Sequence, residues 1–200
     1  MSALATVQGI IVRDVLRSIR QRSRILAGVA RPFIWVLLVA AGFSSITRLE
    51  GGFPYHAFAY PGGIVMGALF GGTLTAISTV YDREFGMLRL MLASPSGTAA
   101  LLTGRALSAT LVGMLQGGVV LLSAPLVIGA EASAVLRAIP ALALAALASA
   151  TLGLLIASRV SSVENFGGII NIVLFPLLYY LYRIFKGRVL PGGSTGASGQ

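Results

Sequence analysis

Two charge-free runs, Tyr60–Val80 and Ala106–Ile128, narrow the folds open to this chain more than any other feature. Each matches or exceeds the ~20 apolar residues that carry an α-helix across about 30 Å of hydrocarbon. Between them lies a charged, amphipathic stretch, YDREFGMLRLMLASPSGTAALLTGR, from Tyr81 to Arg105. Two spans separated by so short a stretch leave it as a connection at a membrane surface. What that connection touches is the functional question.

Composition supports a membrane protein. Of 200 residues, 56% are hydrophobic and only 10% are charged, with a mean hydropathy of +0.89. A soluble domain of this size carries about 25% charged residues. The net charge of +9 would suggest a nucleic-acid partner in a soluble protein. Here most Arg residues flank apolar spans, so they set orientation and bind lipid phosphates, and no nucleic acid is expected. The chain has no cysteine, which excludes disulfides and thiolate chemistry. Its first Arg residues precede the first long apolar run, and no small-residue cleavage site follows, so a cleavable signal peptide is not expected.

Residues 2–24 read as an interfacial amphipathic helix. Leu4, Val7, Ile11, Val15 and Ile19 recur at helical spacing on one face, and Arg13, Arg17, Arg20 and Arg24 on another. A helix packed on protein is the plainer reading of the same pattern. The first span is predicted over about 28–46, with Pro32 in its first turn and Arg31 snorkelling to the surface. The loop TRLEGGFPYHAF follows, and it holds the single histidine, His56, which has no carboxylate or cysteine partner suited to metal or catalysis.

The second span, 60–80, carries Gly63, Gly67 and Gly71 at four-residue spacing, a face that lets another helix approach closely. The third, about 101–128, contains Gly113 and Gly117, and the fourth, about 138–157, contains Ser149 and Gly153. Small residues at this spacing indicate helix packing rather than a substrate site, because lipid supplies no hydrophobic drive between helices. A fifth span is predicted from Phe166, with a kink at Pro176. The expected fold is an all-α polytopic bundle of about five spans over residues 1–182, followed by a disordered, basic, Gly/Ser-rich tail at 183–200.

The Arg distribution predicts a cytoplasmic N-terminus and a cytoplasmic 81–105 connection. Five spans then put Arg183, Lys186 and Arg188 outside, against the rule. A re-entrant fifth span or an unnatural C-terminus would each remove the conflict. No span holds an internal carboxylate, Lys or His, and Arg105 near a span end is expected to snorkel. Ion-coupled carriers keep an ionisable group at depth, so such a mechanism is disfavoured. There is no GxxxxGK[ST] phosphate loop, so any energy from ATP must come from another polypeptide.

The 81–105 stretch is suited to receive it. Phe85, Leu88 and Leu92 line one side of a predicted short helix, Asp82, Arg83, Glu84 and Arg89 surround it, and Ser94-Pro95 ends it. Such a helix can lie in a groove of a soluble partner.

These residues resemble the membrane permease subunits of type-2 ABC transporters, which carry a motif like REFGxLxxLLxSPxS…GR after their second span. This chain has Arg83-Glu84-Phe85-Gly86-Met87-Leu88, then Leu92-Ala93-Ser94-Pro95-Ser96, then Gly104-Arg105. A second match is Glu164-Asn165-Phe166, then Asn171 and Phe175-Pro176-Leu177, at the start of the fifth span. The resemblance runs from about residue 8 to Leu178. It implies a permease subunit that forms the substrate pathway of an ATP-driven exporter in a bacterial cytoplasmic membrane. It also implies pairing with a second permease, identical or not, contact with membrane lipids, and coupling to a separate ABC ATPase subunit. ATP and magnesium would bind that subunit, leaving this chain without a cofactor or catalytic residue. The family usually adds a sixth span where this chain reads YYLYRIFKGRVLPGGSTGASGQ, the pattern of a truncated end. The competing readings are an intramembrane lipid-modifying enzyme and a non-transporting pseudo-permease fragment. The first lacks clustered acids or a Ser–His pair within the spans.

Overall fold

Helix α3, Tyr55–Glu84, is the axis on which the other long helices pack. It belongs to a computed structural model that describes residues 3–44, 55–87 and 97–160, and beyond them 162, 164–166, 169, 172, 176–180 and 183. The remaining helices are α1 (Ala3–Arg20), α2 (Arg22–Ser44), α4 (Gly97–Leu122), α5 (Ala124–Ile128) and α6 (Ala132–Arg159). No strand occurs among the described residues, so the all-α expectation holds.

Among the described residues three helical stretches are long and apolar enough to cross a membrane: Phe58–Glu84, Gly97–Ile128 and Ala132–Arg159. Leu26–Leu38 of α2 is a shorter apolar stretch. Most of the predicted fifth span, including Asn171, lies outside the described residues, as does the tail apart from Arg183.

Glycine sets the spacing between α3 and α4. A Cβ on Gly67 would sit 3.2 Å from the Gly117 Cα, and one on Gly71 would sit 2.8 Å from the Gly113 Cα. The two glycine faces therefore meet in antiparallel register, 67 with 117 and 71 with 113. Backbones this close gain dispersion contacts that lipid could not supply. Gly63 instead faces Pro32 and Val36 of α2. Beside this contact, Ser149 of α6 donates to the Ala68 carbonyl at 3.3 Å, and Gly153 packs on Ala76. The core between these helices holds Tyr60, Ile64, Leu69, Val120, Leu142 and Ala145.

The third span is not one helix. Ser123 interrupts it, and Pro125 follows in α5. A proline at that point cannot donate into the preceding turn. The buried Tyr60 hydroxyl donates to the Val120 carbonyl at 2.8 Å and lies 2.6 Å from the Ser123 hydroxyl, tying the break to α3. Gly129, at φ 63°, closes α5 in the left-handed region where glycine is favoured.

The amphipathic pattern of α1 resolves into three faces rather than two. Arg13, Arg17 and Arg20 form an exposed basic edge, and Leu4, Val12, Leu16 and Ile19 an exposed apolar one. The third face packs on α4, with Ile10 against Gly104 and Asp14 bonded to Ser108. Advancing four residues on each helix, these two contacts make α1 run alongside α4 in the same direction.

Candidate functional site

Several charged groups of the bundle converge at one end, where α3 finishes and α4 begins. Thr79 and Asp82 lie one turn apart at the end of α3, so they share a face. Arg105 of α4 reaches both. Its guanidinium donates to the Thr79 hydroxyl at 2.8 Å and forms a salt bridge with the Asp82 carboxylate. Arg105 is only 2% exposed. The expected snorkelling is thus corrected: the side chain is held inside by a carboxylate and a hydroxyl. An unpaired charge there would carry a large desolvation cost, and the pair is what permits it.

A second carboxylate extends the cluster to α1. Asp14 is 6% exposed and accepts from the Arg13 guanidinium at 3.0 Å and 3.1 Å. Its other oxygen accepts from the Ser108 hydroxyl at 3.2 Å. Ser108 is one turn above Gly104-Arg105, so one turn of α4 holds both α1 and α3. The sequence places Arg105 in the family-like motif and Asp82 just before it, but does not mark Asp14, Thr79 or Ser108.

Arg83 turns the other way. It donates to the Ser158 carbonyl at 3.1 Å and the Val160 carbonyl at 3.3 Å. These carbonyls end α6, where orphan acceptors and the negative end of the helix dipole favour a cation. The side chains of Asp82 and Arg83 are therefore engaged within the chain.

Glu84 and Phe85 are among the residues this end exposes. Phe85 is 76% exposed, and its ring stacks on that of Tyr81 with centroids 6.3 Å apart. The chain then turns. Gly86 has φ 73°, and its N–H donates to the Arg83 carbonyl at 3.1 Å. A left-handed glycine just past a helix is a C-terminal stop. The sequence reading put Phe85 on one helix face with Leu88 and Leu92. The turn at Gly86 corrects this for Phe85, which directly follows α3 and donates its N–H to the Tyr81 carbonyl at 2.9 Å. Leu88, Arg89, Ser94 and Pro95 lie outside the described residues.

The second motif comes to the same end. Phe166 is buried with Val80 of α3 and Ala157 of α6. Asn165 donates its backbone N–H to Ser162, and Glu164 is exposed. Pro176 is exposed and begins a short helical stretch. Among the described residues no three of His, Asp and Glu come together as a metal site would need. The geometry thus joins α1, α3, α4 and α6 through polar contacts and leaves Glu84 and Phe85 exposed beside them. Such an end can pass displacement from a partner into the bundle.

Comparisons with known proteins identify the family. The chain is 30% identical over 91 residues to "Putative transport permease ycf38" of Cyanophora paradoxa, covering 43% of this chain and 31% of that protein. It is 27% identical over 96 residues to the protein of the same name from Pyropia yezoensis, covering 47% and 33%. These matches span about a third of each relative's length. No solved structure matches. The sequence profile of the ABC-2 type transporter family matches residues 6–182. With that match over most of its length, the chain belongs to the ABC-2 type transporter family of membrane permeases.

Proposed function

We propose that this chain is the permease subunit of an ATP-driven exporter, coupled to a separate ATPase subunit through the end of α3 and the connection that follows. The observation that carries the reading is the Arg105–Asp82 pair. It lies two residues before Glu84 and three before the exposed Phe85. A push on Phe85 cannot be absorbed by bending that corner alone, because α3 and α4 are locked there in low dielectric. The push moves the glycine-packed pair of helices together. Rigid-body displacement of packed helices is how small shifts at an effector site become global ones.

In this reading Glu84, Phe85, Gly86, Leu88, Arg89, Ser94 and Pro95 form the coupling surface, and Asp82 and Arg83 brace it from within. The N-terminus and the 81–105 connection lie in the cytoplasm of a bacterial cell. The permease works as a homodimer or heterodimer in the inner membrane, with α1 against lipid, and ATP and magnesium bind the partner ATPase.

Cysteine accessibility tests the orientation. Glu84→Cys and Glu131→Cys place single thiols at opposite ends of the bundle in a chain that has none of its own. An impermeant thiol reagent applied outside intact cells should label position 131 and spare position 84. The reverse pattern would put the proposed coupling surface on the wrong side. A tagged chain should also retain an ATP-hydrolysing subunit through purification, and purification without one would remove the partner.

A further inference from the structure

Among the described residues Arg31 is in no salt bridge and meets an aromatic ring instead. It is exposed on α2, and its guanidinium carbon lies 4.4 Å from the centre of the Phe70 ring on α3. Phe70 is twelve residues beyond Phe58 and fourteen short of Glu84, the ends of that membrane-crossing stretch. At ~1.5 Å per residue the ring lies about 18 Å from one end and 21 Å from the other. Along that stretch the guanidinium therefore lies level with the middle, away from either end. Along the same exposed face of α2 its neighbours are Ala27, Ile34 and Leu38, all apolar. Neither salt bridge among the described residues includes it.

Among the described residues no carboxylate lies at that level. The six acids are Asp14, Glu50, Asp82, Glu84, Glu131 and Glu164. Asp14 and Asp82 are bonded at the charged end, and Glu84 is exposed there. Glu164 is two residues from Phe166, which packs at that same end. Glu131 caps the start of α6 at the opposite end, and Glu50 falls in the connection between α2 and α3. A second copy of the chain would bring the same described acids at the same ends of its helices. A ring face offsets only part of the cost of a cation in hydrocarbon. With one flank of the guanidinium on Phe70, its N–H edge is open to a bidentate acceptor.

We infer that Arg31 and Phe70 bind the anionic group of an amphiphile, a carboxylate or phosphate carried on an apolar chain that lies along Ile34 and Leu38. As a statement about cargo this rests on the permease reading, but as a statement about binding it stands apart from it.

Trp35, the single tryptophan, is one turn from Arg31 and reports on the site without a label. The full chain in phosphatidylcholine vesicles is titrated with dibromostearate, ionised, and with its neutral methyl ester, and bromine quenching of Trp35 is read. The acid should quench saturably and bind at least about tenfold more tightly than the ester. Arg31→Gln should abolish that preference and Arg31→Lys should keep part of it. Displacement by phosphatidylglycerol would identify bulk lipid as the occupant, and displacement by dodecyl phosphate alone would identify a single-chain cargo. Either supports the inference. Equal binding of acid and ester, an unchanged preference in Arg31→Gln, or displacement by inorganic phosphate as effective as by dodecyl phosphate would overturn it. The wild-type comparison of acid with ester does not depend on how the variants fold. Stimulation of the partner ATPase, measured separately, keeps the two readings apart. Its absence would fail the permease assignment and leave the quenching result standing. Equal acid and ester binding with stimulation intact would fail only the site.

Discussion

The guanidinium of Arg105 holds the carboxylate of Asp82 across twenty-three residues of sequence, two positions before the exposed Glu84. This is the contact by which the end of α3 is fixed to α4. Asp82→Asn should leave a buried cation without its counter-charge and destabilise the chain by about 3 kcal/mol. Thermal unfolding in detergent should register a clear drop in midpoint. The double variant Asp82→Asn with Arg105→Met should recover most of the loss, because an apolar replacement removes the stranded charge as well. A double variant no more stable than Asp82→Asn would mean that the pair itself was not the source.

The α3–α4 contact separates two kinds of glycine. Gly71→Ala directs a methyl group at the Gly113 backbone, 2.8 Å away, which can yield only if the helices part. Overpacking of this kind costs about 1–3 kcal/mol. Gly28→Ala meets only the far end of the Gln116 side chain, at 2.4 Å, and that side chain can swing. The unfolding midpoint should fall for the first variant and change little for the second. Equal effects would contradict the close approach of α3 and α4.

The glycine and serine positions of this packing were legible in the sequence because spacing along one helix is enough to reveal a small-residue face. Their pairing, 67 with 117 and 71 with 113, was not, since periodicity carries no information about register between helices. The buried polar cluster was hidden for a different reason. A lone Arg near a span end ordinarily reaches for water, and only the fold brings Asp82 and Thr79 within its reach. Asp14 was masked by its neighbours, sitting in an Arg-rich helix whose pattern suggests a solvated edge. Gly86 looked like one residue of an amphipathic run, and nothing local marked it as left-handed.

Gln116 carries a buried polar atom that the fold does not satisfy. It is 2% exposed, and its Oε1 accepts no hydrogen bond. An acceptor left unpaired costs about 1–3 kcal/mol, so Gln116→Met, similar in volume, should preserve or raise the unfolding midpoint. A large fall would mean that the amide has a partner in the folded chain.

Arg83 makes a separate prediction about α6. Its two carbonyl acceptors end that helix. Arg83→Ala should cost about 1 kcal/mol, and Arg83→Lys should not fully restore it, because one ammonium cannot reproduce the guanidinium fork. Faster hydrogen exchange at the end of α6 in the alanine variant would locate the loss. Unchanged exchange there would show that the contact is not formed in the membrane.

The central claim is that the exposed corner at Glu84 and Phe85 receives the force of a separate ATPase. Its most direct test is ATP hydrolysis by the partner subunit in proteoliposomes, with wild-type chain, Phe85→Ala and Glu84→Lys. Both side chains are exposed, so the variants should insert and unfold like the wild type. Reversing a charge at a matched interface can cost several kcal/mol of association. Glu84→Lys should therefore reduce stimulated hydrolysis at least about tenfold, and Phe85→Ala should reduce it measurably. Full stimulation by both variants, with insertion and unfolding unchanged, would contradict the account.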